Sequence, residues 1–133
     1  MIHALVCDDY APIANLVKIV LREDGIDVST ASDGTSALDL IRSLRPGLVI
    51  SDIDMPGLTG LCMLKLLQSD ATGLAKVPFI LMSSADHQSE ALKAGCNFFL
   101  TKPFSIEELR RIVAKALTQT ENVPHERHVS RYS

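Results

Sequence analysis

The sequence lacks several features that would place it in other classes of protein. It has no tryptophan, only three cysteines and no apolar run near the length of a membrane span. The odd cysteine count, with Cys7, Cys62 and Cys96 each in an apolar stretch, favours buried thiols in a reducing cytosol over a disulfide framework. No basic segment precedes the N-terminal apolar stretch, so we expect no secretory signal, a cytoplasmic location and no membrane partner.

The composition describes an ordinary folded chain without a strong charge signal. Hydrophobic residues make up 47% of the 133 residues, which predicts one domain with its own core. The formal net charge is −3, so there is no general basic footprint for direct nucleic acid binding. The positions of the acidic residues are therefore more informative than their number.

Apolar runs and helical stripes alternate five times along the chain. Apolar runs at 4–7, 48–50, 79–82 and 98–100 predict strands, residues 26–31 alternate apolar and polar as in an edge strand, and stripes of helical period lie between them. Pro12 fits the first turn of the first helix, Gly25 fits its C-terminal cap, and Ser105 with Glu108 is typical of a capping box. Together these units predict an α/β, doubly wound (βα)5 fold of the flavodoxin-like type, a parallel sheet of order 2-1-3-4-5 with helices on both faces.

The last part of the chain differs from the rest in composition. We expect the folded domain to cover residues 1–118 and residues 119–133 to form a flexible polar tail, because that segment has few large apolar residues. The tail contains His125-Glu126-Arg127-His128, which we interpret as a solvated segment rather than a metal site.

Polar residues follow four of the predicted strands. They are the pair Asp8-Asp9, the segment Asp52-Ile53-Asp54-Met55-Pro56-Gly57, the pair Ser83-Ser84, and Lys102-Pro103. The carboxyl ends of parallel strands share one edge of the sheet, where ligand crevices form. Acids, a hydroxyl and a lysine at that edge predict a site for a divalent cation and a phosphoryl group.

Each of these residues also has a simpler structural interpretation. The acidic pair could cap the first helix ahead of Pro12, and Asp52 could be an Asx-turn acid rather than a nucleophile toward phosphorus. The serines could be turn or capping residues, and Lys102 could be a solvated lysine rather than the partner of the carboxylates and of a phosphoryl oxygen. The phosphoryl interpretation depends on all four segments meeting at one edge.

As a set, the motifs resemble the receiver domain of bacterial two-component response regulators, most of all the single-domain, CheY-like chemotaxis members. The resemblance covers Met1 to about Thr118 and includes Gly60, Gly95 and Phe104 besides the four segments. It implies a phosphoprotein of phosphorelay signal transduction whose partners are a sensor histidine kinase or histidine phosphotransfer protein and a downstream protein target. Homodimerisation through the face of the fourth and fifth helices is compatible with it.

The resemblance also implies a role for each site residue. Mg²⁺ would be held by Asp9, Asp52 and the backbone carbonyl of Asp54, with Asp8 acting through water. Asp52 would be the phosphoacceptor, and Lys102 would pair with the phosphoryl group.

A switch would follow from phosphorylation of that acceptor. Ser83 would be the switch hydroxyl, with Ser84 as the alternative, and Phe99 would be the aromatic switch residue. Phosphorylation would draw Ser83 inward, let Phe99 turn inward and reshape the face of helix four, strand five and helix five. The interval from Ser83 to Gly95 predicts a short or shifted fourth helix.

Three rival functions remain at this point. Asp52-Ile53-Asp54 matches the nucleophile motif of haloacid-dehalogenase-type (HAD-like) phosphatases, although that motif normally ends the first strand. A flavodoxin-like FMN binder shares the sheet order, but the acidic pair would repel its phosphate. A phosphorylation-independent interaction module would keep the fold without the chemistry. We expect a signalling protein that assists its own phosphorylation and dephosphorylation, and no turnover enzyme.

Overall fold

One parallel sheet of five strands organises the molecule. The computed structural model describes residues 2–70 and 72–119, and in it the strand order is β2-β1-β3-β4-β5. The strands are β1 (His3–Cys7), β2 (Asp27–Ala31), β3 (Leu48–Asp52), β4 (Phe79–Ser83) and β5 (Phe98–Thr101). Every neighbouring pair is parallel, which confirms the predicted topology.

Within the part of the chain that the structure describes, five helices cover the two faces of this sheet. They are α1 (Ala11–Glu23), α2 (Gly34–Leu44), α3 (Gly60–Gln68), α4 (Gln88–Lys93) and α5 (Ile106–Gln119). Short 3₁₀ turns at Leu74–Lys76 and Ala85–His87 precede β4 and α4. No helix in the described ranges is both long and apolar enough to cross a bilayer.

The core consists of two apolar layers because strand side chains alternate between the faces of the sheet. Leu5 and Cys7 of β1 belong to the layer under α2, α3 and α4, whereas Ala4 and Val6 belong to the layer under α1 and α5. All four are completely buried. A sheet that is covered on both faces leaves its edges, and above all the ends of its strands, as the accessible parts.

Local signals set several of the helix ends. Ser105 and Glu108 form the predicted capping box, with the amide N–H of each donating to the side chain of the other at 2.8 and 3.0 Å. Gly25 follows α1 with a φ of 83°, the left-handed conformation that its predicted capping role requires. Asp33 caps α2 by accepting from the amide of Ser36 at 2.8 Å.

The structure corrects the predicted burial of one cysteine. Cys62 is exposed, because the buried stripe of α3 runs through Met63, Leu64 and Leu67 and leaves position 62 outside it. The helix α5 extends to Gln119, one residue into the predicted tail, and residues 120–133, with His125-Glu126-Arg127-His128, lie outside the described part of the chain.

Candidate functional site

The strand register brings the four polar segments to one edge. Cys7 is paired with Ser51, Asp52 with Met82, and Ser83 with Thr101. The residues immediately after β1 and β5, and those that end β3 and β4, therefore lie at nearly the same height on adjacent strands. This is the edge at which the sheet order reverses between β1 and β3, where doubly wound folds form their ligand crevice.

Three carboxylates meet in this crevice. One oxygen from each of Asp8, Asp9 and Asp52 lies within 4.8 Å of the other two. Asp8 is only 2% exposed, the Asp52 side chain is 12% exposed, and Asp9 is open to solvent. Hard divalent cations prefer such a set of oxygen donors, with room on the solvent side for bound water, so the cluster fits Mg²⁺.

The acidic pair does not cap the first helix. Tyr10 is the N-cap residue of α1, and no side chain caps that position. Asp8 Oδ1 instead accepts a hydrogen bond from the Tyr10 amide at 2.9 Å, which fixes the carboxylate in the crevice. Neither acid is the N-cap residue of α1, but Asp8 does satisfy one backbone N–H ahead of Pro12, so the capping interpretation holds only in that part.

Lys102 joins two of the acids. Its Nζ lies 2.9 Å from Asp8 Oδ2 and 3.3 Å from Asp52 Oδ2. The peptide bond between Lys102 and Pro103 is cis, and the amide of Lys102 donates to the carbonyl of Ser83 at 2.7 Å. The lysine is thus held at the site by its backbone and its side chain, and the solvated-lysine interpretation is wrong.

Burial and charge shift the ionisation of this group. Burial raises the pKa of Asp52, and the charge of Asp8 adds to that rise, while Lys102 opposes it. Burial alone would lower the pKa of Lys102, but the hydrogen bond and charge of Asp8 and the charge of Asp52 outweigh it, so this pKa stands above its usual value. The lysine is consequently held in its charged form between two carboxylates that would otherwise repel each other.

The segment after β3 is held rigidly beneath Asp52. The amide of Ile53 donates to the carbonyl of Met82 at 3.0 Å, and the amide of Asp54 lies 3.4 Å from Asp52 Oδ1. Gly60 packs so closely that a β carbon there would lie 2.3 Å from the carbonyl oxygen of Asp52. Asp54 itself points away from the cluster, with 73% of its side chain exposed.

Of the two candidate hydroxyls, only Ser83 faces the interior. Ser83 is 5% exposed and Ser84 is exposed. The Oγ of Ser83 lies 3.2 Å from Nδ1 of His87, and this same nitrogen lies 4.0 Å from Asp54 Oδ2. Sequence reasoning did not single out His87, since no motif marks it and only the 3₁₀ turn at Ala85–His87 brings it back over Ser83.

The region of the predicted switch has two further features. Phe99 is 6% exposed and belongs to the apolar layer under α2, α3 and α4, so its ring already lies in the core. The helix α4 has only six residues, which confirms the short fourth helix that the interval to Gly95 predicted.

Comparison with known proteins agrees with this architecture. The family described as the response regulator receiver domain matches residues 4–114. The chain is 34% identical over 125 residues to the DNA-binding response regulator MtrA of Mycobacterium tuberculosis strain H37Rv, with 92% of this chain and 53% of that protein covered. It is 32% identical to the alkaline phosphatase synthesis transcriptional regulatory protein SphR of Synechococcus elongatus, with 92% and 51% covered. The chain thus spans about half the length of the curated relatives it matches.

Solved structures of similar proteins show the same fold. The receiver domain of Francisella response regulator 1452 has a TM-score of 0.79 and 36% identity, with 90% of this chain and 99% of that chain covered. The chemotaxis response regulator CheY4 of Vibrio cholerae also has a TM-score of 0.79, with 30% identity and 88% and 99% covered. These matches do not favour the phosphatase or interaction-module interpretations. The chain belongs to the response regulator receiver domain family of two-component signalling systems.

Proposed function

We propose that this domain takes a phosphoryl group from a phosphohistidine onto Asp52 and uses the modified aspartate to control a protein partner. The observation that carries the proposal is the position of Lys102 Nζ, 2.9 Å from Asp8 and 3.3 Å from Asp52 within a cluster of three carboxylates. Transfer of a negatively charged group requires a positive charge held against the acceptor and its neighbouring acids, and the Lys102 ammonium provides it.

The transfer itself forms one bond and breaks another. An oxygen of Asp52 attacks phosphorus, the P–N bond to the donor imidazole breaks, and the imidazole leaves with the bonding electron pair and takes up a proton. The ammonium of Lys102 moves its interaction from the Asp52 carboxylate to a phosphoryl oxygen, while Asp8 keeps it in place. The donor would be a sensor histidine kinase or a histidine phosphotransfer protein.

Mg²⁺ fits the proposed chemistry, and the site offers its ligands. Asp9, Asp52 and the backbone carbonyl of Asp54 would hold the cation, with Asp8 acting through water. When bound, the cation offsets negative charge on the transferring oxygens. The three carboxylates would otherwise repel an incoming phosphoryl group, because a single ammonium cannot neutralise them.

The output would be a change in the face formed by α4, β5 and α5. A phosphoryl group on Asp52 adds about one to two negative charges and strong acceptor oxygens next to Ser83. Movement of Ser83 toward these oxygens would change its contacts with β5 and thereby the packing of Phe99. Leu92 of α4 and Ile106 of α5 are each 41% exposed and offer apolar contact on that face for a protein target or a second copy.

The proposal is tested by labelling with acetyl phosphate in the presence and absence of Mg²⁺. We expect Mg²⁺-dependent label on the wild-type chain and on Asp54→Asn, which keeps the backbone carbonyl, and none on Asp52→Asn. Label that persists on Asp52→Asn would remove the residue from this role. A chain that takes no label and does not respond to Mg²⁺ would favour a phosphorylation-independent interaction module, and sustained hydrolysis of a phosphate monoester would favour a phosphatase.

A further inference from the structure

The hydroxyl of Ser83 has a partner outside the acid cluster. His87 lies at the end of the 3₁₀ turn that follows β4, with 32% of its side chain exposed, and its Nδ1 is 3.2 Å from Ser83 Oγ. The same Nδ1 is 4.0 Å from Oδ2 of Asp54, two residues after the proposed phosphoacceptor. One imidazole nitrogen therefore faces both the switch hydroxyl and an acid.

The two neighbours of this nitrogen determine where the imidazole proton resides. A carboxylate only accepts hydrogen bonds, whereas a hydroxyl both donates and accepts. An unprotonated Nδ1 would direct a lone pair toward the oxygens of Asp54, and a protonated Nδ1 suits both neighbours. The geometry therefore favours the Nδ1–H form of His87, which donates to Ser83 Oγ.

This arrangement leaves the hydrogen of Ser83 for another acceptor. An Oγ that accepts from His87 can still donate its own hydrogen. The proposed phosphoacceptor, Asp52, ends the adjacent strand β3 and is paired with Met82, the residue before Ser83. Serine also lacks the β-branching that restricts χ1 of threonine, so an outside contact is needed to fix its rotamer. His87 supplies that contact.

We propose that His87 is a positioning residue that holds the Ser83 hydroxyl ready to donate to the phosphoryl group on Asp52. This inference rests on the proposed function, because it assumes a phosphoryl group at Asp52. It assigns to the loop between β4 and α4 a role in how tightly the site binds that group.

The first test is nitrogen NMR of the wild-type chain without Mg²⁺, which reports which imidazole nitrogen carries hydrogen. We expect hydrogen on Nδ1 of His87, and a bare Nδ1 would overturn the inference. This measurement needs no variant and no phosphoryl group.

The second test is calorimetric titration with beryllofluoride and Mg²⁺, since beryllofluoride mimics the bound phosphoryl group. Loss of one oriented hydrogen bond should weaken binding by about 3- to 10-fold in His87→Ala. His87→Asn, whose amide can donate from nearly the same place, should bind like the wild type. Asp86→Ala, an exposed change in the same 3₁₀ turn, is the matched control and should also be unchanged.

Rescue separates positioning from general loss of structure. We expect Ser83→Thr to restore most of the affinity of His87→Ala, because the branched side chain restricts its own rotamer. Failure of this rescue, or wild-type affinity in His87→Ala, would overturn the inference. Acetyl phosphate labelling of Asp52 is measured separately from beryllofluoride affinity. If the wild-type chain is labelled and His87→Ala binds beryllofluoride as tightly as the wild type, only the role of His87 is rejected.

Discussion

Lys102 lies closer to Asp8 than to Asp52, at 2.9 against 3.3 Å, and Asp8 is the more deeply buried of the two acids. The remaining oxygen of Asp8 is held by the Tyr10 amide at 2.9 Å. Asp8 therefore anchors the ammonium, and Asp52 shares it from the side that faces the crevice. This asymmetry lets Asp52 change its chemical state without releasing the lysine.

Removal of the lysine charge should destabilise the chain by leaving Asp8 buried without a cation. We expect Lys102→Met to lose about 1–3 kcal/mol of unfolding free energy at neutral pH, since a buried carboxylate that loses its partner retains its desolvation cost. Urea denaturation without Mg²⁺ measures this loss. A matched double variant, Asp8→Asn with Lys102→Met, should recover most of it, and equal losses in the single and double variants would contradict the anchoring role.

The pH dependence of that ion pair follows from the raised pKa of Lys102. A raised folded-state pKa means that the stabilisation is fully present below the ordinary lysine value of 10.5 and is lost as the pH rises through the folded-state value. The stability difference between the wild type and Lys102→Met should therefore be constant near neutral pH and shrink in strong alkali.

The ionised carboxylate of Asp52 should lower the free energy of unfolding, whereas a carboxylate whose pKa falls on folding would raise it. Its raised pKa means that the folded chain binds a proton more tightly than the unfolded chain, so its ionisation costs stability at neutral pH. We expect Asp52→Asn to be more stable than the wild type in the absence of Mg²⁺ at neutral pH. The difference should shrink as the pH falls through the folded-state pKa of Asp52 toward its ordinary value of 3.8, because protonation of the wild type then removes the same cost.

Thermal unfolding of both proteins over this pH range is the measurement. Asp54→Asn serves as the control, because its side chain is 73% exposed and should show no comparable gain. A less stable Asp52→Asn at neutral pH would mean that the carboxylate is a net contributor to the fold, which contradicts the raised pKa.

The sequence was sufficient to predict the parts of the site that depend on strand order. Asp8, Asp52 and Lys102 each follow or end an apolar run, and a parallel sheet allows such ends to meet at only one edge. Lys102 and Asp8 pair although they are 94 positions apart in the sequence. The strand order alone brings them together, so no local signal was needed. The capping alternative holds only in part, because Tyr10 is the N-cap residue of α1 and Asp8 accepts the amide of Tyr10 instead of capping the helix from that position.

Residues that depend on side-chain rotation or on irregular turns could not be predicted in the same way. His87 reaches Ser83 only because a 3₁₀ turn replaces the start of a longer helix, and the apolar pattern does not distinguish the two. Cys62 was expected to be buried because it lies in an apolar stretch, yet helix α3 has more apolar residues than its buried stripe can hold. Leu66 of the same helix is 42% exposed for the same reason.

Gly34, the first residue of α2, should be hard to replace because it packs against the segment between β3 and α3. A β carbon there would lie 1.7 Å from the carbonyl oxygen of Leu58, so the segment between β3 and α3 would have to move. We expect Gly34→Ala to cost about 1–3 kcal/mol of stability and to slow labelling of Asp52. Gly47→Ala is the control, because its nearest neighbour, a methyl carbon of Ile2, is at an ordinary 3.4 Å. Chemical denaturation and acetyl phosphate labelling of both variants check this prediction.

The three cysteines should differ sharply in their reactivity. Burial raises the pKa of the Cys7 thiol to about 12, so almost none of it is the reactive thiolate at neutral pH. Cys96 is buried, and its Sγ lies 2.7 Å from the carbonyl oxygen of Phe98. We therefore expect iodoacetamide to modify Cys62 alone in the native chain, and all three in denaturant.

Mass spectrometry of peptides from native and denatured samples measures this difference. Cys62→Ser should abolish native labelling with little loss of stability, because the side chain lies outside the buried stripe of α3. Cys7→Ser should leave native labelling unchanged but lower the unfolding free energy, since it places a hydroxyl in a completely buried position. Rapid modification of Cys7 in the native chain would show that β1 opens at the end that carries Asp8, and would contradict the closed packing on which the rigid placement of that carboxylate depends.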